Sequence, residues 1–95
     1  MSELFWTPEA KQDRNEIYDY IEADNPAAAL TLDELFAKNA GHLLEHPGLG
    51  RAGRVKGTRE LVVHPNYILI YDLVGDWVRV LRVLHAARQW PPAKH

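Results

Sequence analysis

The sequence contains no cysteine, one methionine and, at Ser2, a single serine. Without cysteine there is no disulfide, no thiol nucleophile and no thiolate metal site. That fits a reducing compartment. Ser2 lies at the extreme N-terminus and Thr58 has no evident base beside it, so nucleophilic catalysis has almost nothing to use. No apolar run reaches the length needed to cross a bilayer, and the N-terminus lacks a signal-peptide pattern. A cytoplasmic protein with no membrane partner is the expectation. A chain of 95 residues has room for one domain, expected over 1–95. It is too short for a full core and a deep cofactor cavity together, so no cofactor is expected.

Charge is nearly balanced at −2, but unevenly spread. Residues 1–47 carry three basic residues against ten acidic, a net charge of −7. Residues 48–95 carry eight basic against three acidic, a net charge of +5. The bland account is an acidic helical face and a basic sheet face that keep one molecule in solution. The functional account is an anionic partner for the second half, either nucleic acid or an acidic peptide.

Residues 57–91 organise the chain. Three apolar runs, 58–63, 67–73 and 77–84, are rich in Val, Ile, Leu and aromatics. The turns His64-Pro65-Asn66 and Val74-Gly75-Asp76 part them, which predicts an antiparallel meander. In the second run both alternating faces are apolar, so it is expected to be central. In the third, alternation puts Val78, Val80, Arg82 and Leu84 on one face. An arginine among those neighbours is either paired with a carboxylate or opens onto a groove.

Upstream, residues 3–7 read as a short strand. Thr7-Pro8-Glu9 and Asn25-Pro26 each place a capping side chain before a proline at the first helical position. Helices to about residues 24 and 45 follow. The first is expected to bury Ala10, Ile17, Tyr20 and Ile21 and leave Asp13 wet. The second is expected to bury Ala28, Leu32, Leu35, Phe36 and Leu43. The fold class is α+β: a short N-terminal strand and a helical hairpin packed on a mainly antiparallel sheet.

The glycine-rich segment 47–57 holds Arg51, Arg54 and Lys56. It matches no phosphate-binding fingerprint. It reads first as a flexible connection and second as a mobile basic rim beside a groove. His42 and His46 match the zinc-peptidase spacing H-x-x-E-H. Pro47 ends the helix there and no third ligand stands out, so histidines favoured by a helix C-terminus explain them better. The remaining chemistry is a basic site of Arg59, Arg82, His85 and Arg88, with Arg51, Arg54 and Lys56 on its rim. Arginines can grip phosphate or an acidic peptide, and a histidine can act as acid or base. His85 can equally be a strand-end histidine bonded within the fold. Trp90 is either a partner anchor or a packed tail.

Three stretches carry a family resemblance. His46-Pro47-Gly48-Leu49-Gly50 resembles an E-H-P-x-x-G step. Residues 54–71 and 83–91 resemble the ParE branch of the RelE/ParE toxin superfamily, and the likeness spans almost the whole chain. The resemblance implies a small toxin neutralised by a cognate antitoxin whose acidic, partly disordered tail wraps it. RelE-like members cleave ribosome-bound messenger RNA without metal, whereas ParE-like members are linked to DNA gyrase. Cleaving members carry an arginine on the central strand where this chain has Ile68, and their C-terminal tyrosine is replaced near Trp90. The resemblance therefore implies a gyrase-directed binder rather than an enzyme. Its antitoxin- or target-binding residues would be Arg51, Arg54, Lys56, Arg59, Arg82, His85, Arg88 and Trp90. The alternatives are a RelE-like ribonuclease using Arg59, His85 and Arg88, with ribosome and messenger as partners, and an inactive fold that only binds its antitoxin.

Overall fold

The computed structural model describes residues 3–87. In chain order the elements are β1 (Glu3–Trp6), α1 (Pro8–Glu22), α2 (Pro26–Glu45), β2 (Arg51–Ala52), β3 (Thr58–His64), β4 (Tyr67–Val74) and β5 (Trp77–His85). The five strands form one sheet in the order β1-β5-β4-β3-β2. β1 runs parallel to β5, and every other pair is antiparallel. The expected α+β architecture is present, and β4 is central. Its Ile68, Leu69, Ile70 and Tyr71 are buried in succession, so both faces of the strand are covered.

The helices start where the caps said they would. Thr7 Oγ1 accepts the Ala10 amide at 3.1 Å and donates to the Leu81 carbonyl at 2.9 Å, so it caps α1 and ties it to β5. Asn25 accepts the Ala28 amide at 3.0 Å and opens α2. Across the hairpin Arg14 grips both Asp33 carboxylate oxygens at 2.9 Å, and its guanidinium lies 4.4 Å from the Trp6 ring centroid. The main core joins Ala10, Leu32, Phe36 and Ala40 of the helices to Leu69, Val80 and Val83 of the sheet.

Three details of the expected faces are corrected. On α1, Tyr20 is 79% exposed whereas Asp13 is only 5% exposed. The α1 stripe runs through position 13, because Asp13 finds partners on β5. On α2 it is Ala29, not Ala28, that faces the core. In β5 the alternation breaks at Leu81: Ile70 pairs with Arg82 but Tyr71 pairs with Val80. Leu81 is the extra residue of a β-bulge. Val78, Val80, Val83 and His85 therefore share the helix-facing side, and Leu84 packs with Ile68 and Ile70 on the other. A second irregularity at Val63 brings His64 opposite Tyr67. Gly75, at φ 56°, makes the tight β4–β5 turn that a side chain would strain.

Candidate functional site

The glycine-rich connection is pinned to the sheet. Tyr71, fully buried on β4, donates its hydroxyl to the Pro47 carbonyl at 2.7 Å and accepts the Gly50 amide at 2.9 Å. Arg59 Nη1 donates to the Gly50 carbonyl at 2.8 Å. Glu60, 2% exposed, accepts from Arg51 Nη2 at 3.2 Å and from the Arg54 amide at 3.1 Å, with Arg54 Nε at 3.8 Å. The segment thus holds a two-residue strand and a fixed path rather than a loose link. Arg51 and Arg54 keep side-chain exposures of 61% and 49%, so each guanidinium still offers donors outward. Glu60→Ala is expected to cost about 1–3 kcal/mol, because it removes acceptors from the Arg54 amide and both guanidinia. Urea unfolding checks it, and a change under 0.5 kcal/mol would deny Glu60 the anchoring role.

The basic candidates do not converge on one spot. Arg51 and Arg54 meet at Glu60, and Lys56 is exposed in the turn before β3. Arg59 pairs across the strands with Tyr71 and points toward Gly50. Arg82 lies on β5, two strands from β3, with its Nε and Nη2 on the Asp13 carboxylate at 2.7 and 3.0 Å. The hydrogen bonds to Asp13 hold its guanidinium above its ordinary pKa despite partial burial. Of the two readings offered for Arg82, carboxylate pairing is the one observed. Arg88 and Trp90 lie outside the described residues.

His85 belongs to a different constellation, which the sequence did not single out. The Tyr67 ring stands between His64 and His85, with centroids 5.7 and 5.3 Å away, and meets Phe36 edge-on at 5.6 Å. His64 Nδ1 accepts the Asn66 amide at 3.0 Å and His85 Nδ1 accepts the Ala87 amide at 3.1 Å. In the neutral rings the proton therefore sits on Nε2, which is left as an outward donor. Burial, then the nearby Tyr20, raises the Tyr67 phenol above its ordinary pKa, so it stays a neutral donor. Around this row lie two adjoining cavities that share Asn66 and Tyr67. One, of 480 Å³, is lined also by Asp13, Glu16, Ile17, Tyr20, Val83 and His85. The other, of 410 Å³, is lined by Ile21, Leu32, Leu35 and His64. The cleft is aromatic and apolar with an acidic wall, which suits side chains of a peptide better than a reacting phosphate.

His42 and His46 remain at the α2 C-terminus, where the His46 amide donates to the His42 carbonyl at 2.9 Å. Among the described residues no group of three His, Asp or Glu side chains could hold a metal ion. No helix among them is long and apolar enough to cross a membrane.

The family model for the ParE toxin of the type II toxin–antitoxin system parDE matches residues 4–90. The chain belongs to the ParE toxin family. Two sequence relatives agree with this. The Sinorhizobium fredii protein Y4kP is 42% identical over 87 residues, 90% of each chain. Toxin RelE2 of Caulobacter vibrioides is 36% identical over 88 residues, covering 93% of this chain and 99% of the relative. Among solved structures, a chain of the chromosomal ParDE system of Pseudomonas aeruginosa superimposes with a TM-score of 0.81 at 26% identity. It covers 90% of this chain and 96% of its own. The RelBE2 toxin–antitoxin complex of Mycobacterium tuberculosis shares the fold at a TM-score of 0.61 and 22% identity, with 88% and 96% covered. As a ParE-family toxin, the chain has the expected RelE/ParE-like fold.

Proposed function

We propose that this ParE-family toxin acts by binding DNA gyrase and is held off by a cognate antitoxin, one segment of which occupies the Tyr67 cleft. The observation that carries the binding mechanism is Ile68. It lies on the central strand, on the face away from the helices, buried with Ile70 and Leu84. RelE-like cleaving members place an arginine there. An apolar side chain in that position offers no charge to a pentavalent phosphate. Arg59, the one arginine of the cleaving set among the described residues, is engaged with the Gly50 carbonyl. The antitoxin reading is supported by neighbours of the same fold that were solved as toxin–antitoxin complexes. It is also supported by the size and the aromatic lining of the cleft.

Induced expression without antitoxin tests the mechanism. Growth should stop with an early fall in DNA synthesis and cell elongation, and purified toxin should block gyrase supercoiling. An immediate stop in protein synthesis, with messenger cleavage that survives EDTA and is lost in Arg59→Ala, would replace this reading with the ribonuclease. No growth effect, beside tight antitoxin binding, would leave a fold that only binds its partner.

A further inference from the structure

Asp13 is an acid on the core stripe of α1, and all its observed partners are on β5. β1 pairs with β5 only as far as Trp6 with Val80. Among the described residues β5 has no strand on that side beyond Val80, and the Val83 amide points toward that edge. Asp13 Oδ2 accepts that amide at 2.9 Å and Arg82 Nε at 2.7 Å, while Oδ1 accepts Arg82 Nη2 at 3.0 Å. The helix side chain thus stands in for the missing strand, immediately after the bulged Leu81.

The bulge decides which side chains meet the cleft. As observed, Val83 pairs with Leu69, Leu84 with Ile68 and His85 with Tyr67. Without the extra residue, each partner on β5 would move back by one. Leu69 would then face Arg82, Tyr67 would face Leu84, and the His85 ring would leave Tyr67. Two things resist that slip: Arg82 cannot enter the core without its carboxylate, and Asp13 fastens Arg82 and Val83 together.

We propose that Asp13 is a positioning residue which, through Arg82 and the Val83 amide, fixes the β5 bulge, delivers His85 to Tyr67 and so sets the affinity of the cleft for the antitoxin. The effect on affinity rests on the cleft reading above; the effect on register does not. Asp13 is part of the wall of the 480 Å³ cavity, but at 5% exposure with both oxygens engaged it offers a partner there little surface. Its influence runs through His85.

The test uses the full chain, free and with its cognate antitoxin, in wild type, Asp13→Asn, Arg82→Leu and His85→Ala. Arg82→Leu is the informative change, because it removes the clamp and also the charge that bars the slipped register. Ring-to-ring nuclear Overhauser effects between His85 and Tyr67 should be present in wild type and lost in Arg82→Leu. Antitoxin affinity should fall at least tenfold in that variant while unfolding stays cooperative. In Asp13→Asn the Val83 amide should exchange at least tenfold faster. Retention of the His85–Tyr67 effects in Arg82→Leu, with affinity within twofold of wild type, would overturn the proposal. If the variants do not fold, wild type still decides: the Val83 amide must exchange as slowly as the paired amides of β4, and fast exchange overturns the clamp. If His85→Ala binds antitoxin as wild type does while Arg82→Leu loses the ring contact, the clamp stands and the cleft reading falls.

Discussion

Gly50→Ala is expected to lower the unfolding free energy by about 3 kcal/mol or more. A Cβ built at Gly50 would lie 2.7 Å from Tyr71 Cε1, 2.8 Å from its hydroxyl and 2.9 Å from the Glu60 carbonyl. Neither neighbour can step aside. The Glu60 carbonyl belongs to a strand paired on both sides, and the Tyr71 ring is fully buried against Leu43 and Val78. Overpacking of this kind costs about 1–3 kcal/mol. A displaced Tyr71 hydroxyl would also lose its bonds to Pro47 and Gly50, each worth about 1 kcal/mol net. In a domain of this size the sum lowers the melting temperature by roughly 12–20 °C. Gly48→Ala is the internal control. Nothing lies within 4 Å of its Cβ, so it should stay within about 0.5 kcal/mol of wild type. Equal behaviour of the two variants in urea would show that the 47–54 segment is not seated on Tyr71. The same geometry gives a physical sense to the last glycine of the E-H-P-x-x-G step: the backbone there must touch a tyrosine.

Most of the fold was legible because its signals are local. Thr7-Pro8 and Asn25-Pro26 cap and start helices whatever surrounds them, and both helices begin at those prolines. The three apolar runs became β3, β4 and β5 within a residue or so of their expected ends. What alternation could not give was register across a bulge. Counting by twos put Arg82 on the Val80 face. The unpaired Leu81 shifts everything after it, and the cause, Asp13, is 69 residues away from Arg82 in sequence. A trace of it was visible: an acid at position 13 interrupts the stripe of Ala10, Ile17 and Ile21. Tyr20 shares that side by spacing, yet it stays exposed while Asp13 is buried. The candidate site was less legible than the fold. The sequence picks out basic residues by type, but their partners come from strand pairing. Arg51 and Arg54 share a buried carboxylate, and Arg59 bonds to a loop carbonyl. The Tyr67 cleft has no motif, because His64, Tyr67 and His85 come together only when three strands align.

Tyr20→Ala is expected to weaken antitoxin binding by about 2 kcal/mol, roughly 30-fold, without changing stability. The ring is 79% exposed and lines the 480 Å³ cavity beside Tyr67, so folding gains little from it. An exposed aromatic next to a second aromatic and an apolar groove is the type of side chain that carries binding energy once a partner excludes water from it. Its loss should appear mainly as faster dissociation. Leu30→Ala separates this from a general effect of trimming surface apolar groups. Leu30 is 51% exposed on α2 but is not part of either cavity wall, so that variant should bind as wild type does. In cells, Tyr20→Ala toxin should escape neutralisation at antitoxin levels that silence the wild type, and its activity on gyrase should be unchanged. If both variants bind equally tightly, the antitoxin does not use the cleft. If Tyr20→Ala also loses its effect on gyrase, the cleft is the target-facing surface and the antitoxin works by covering it.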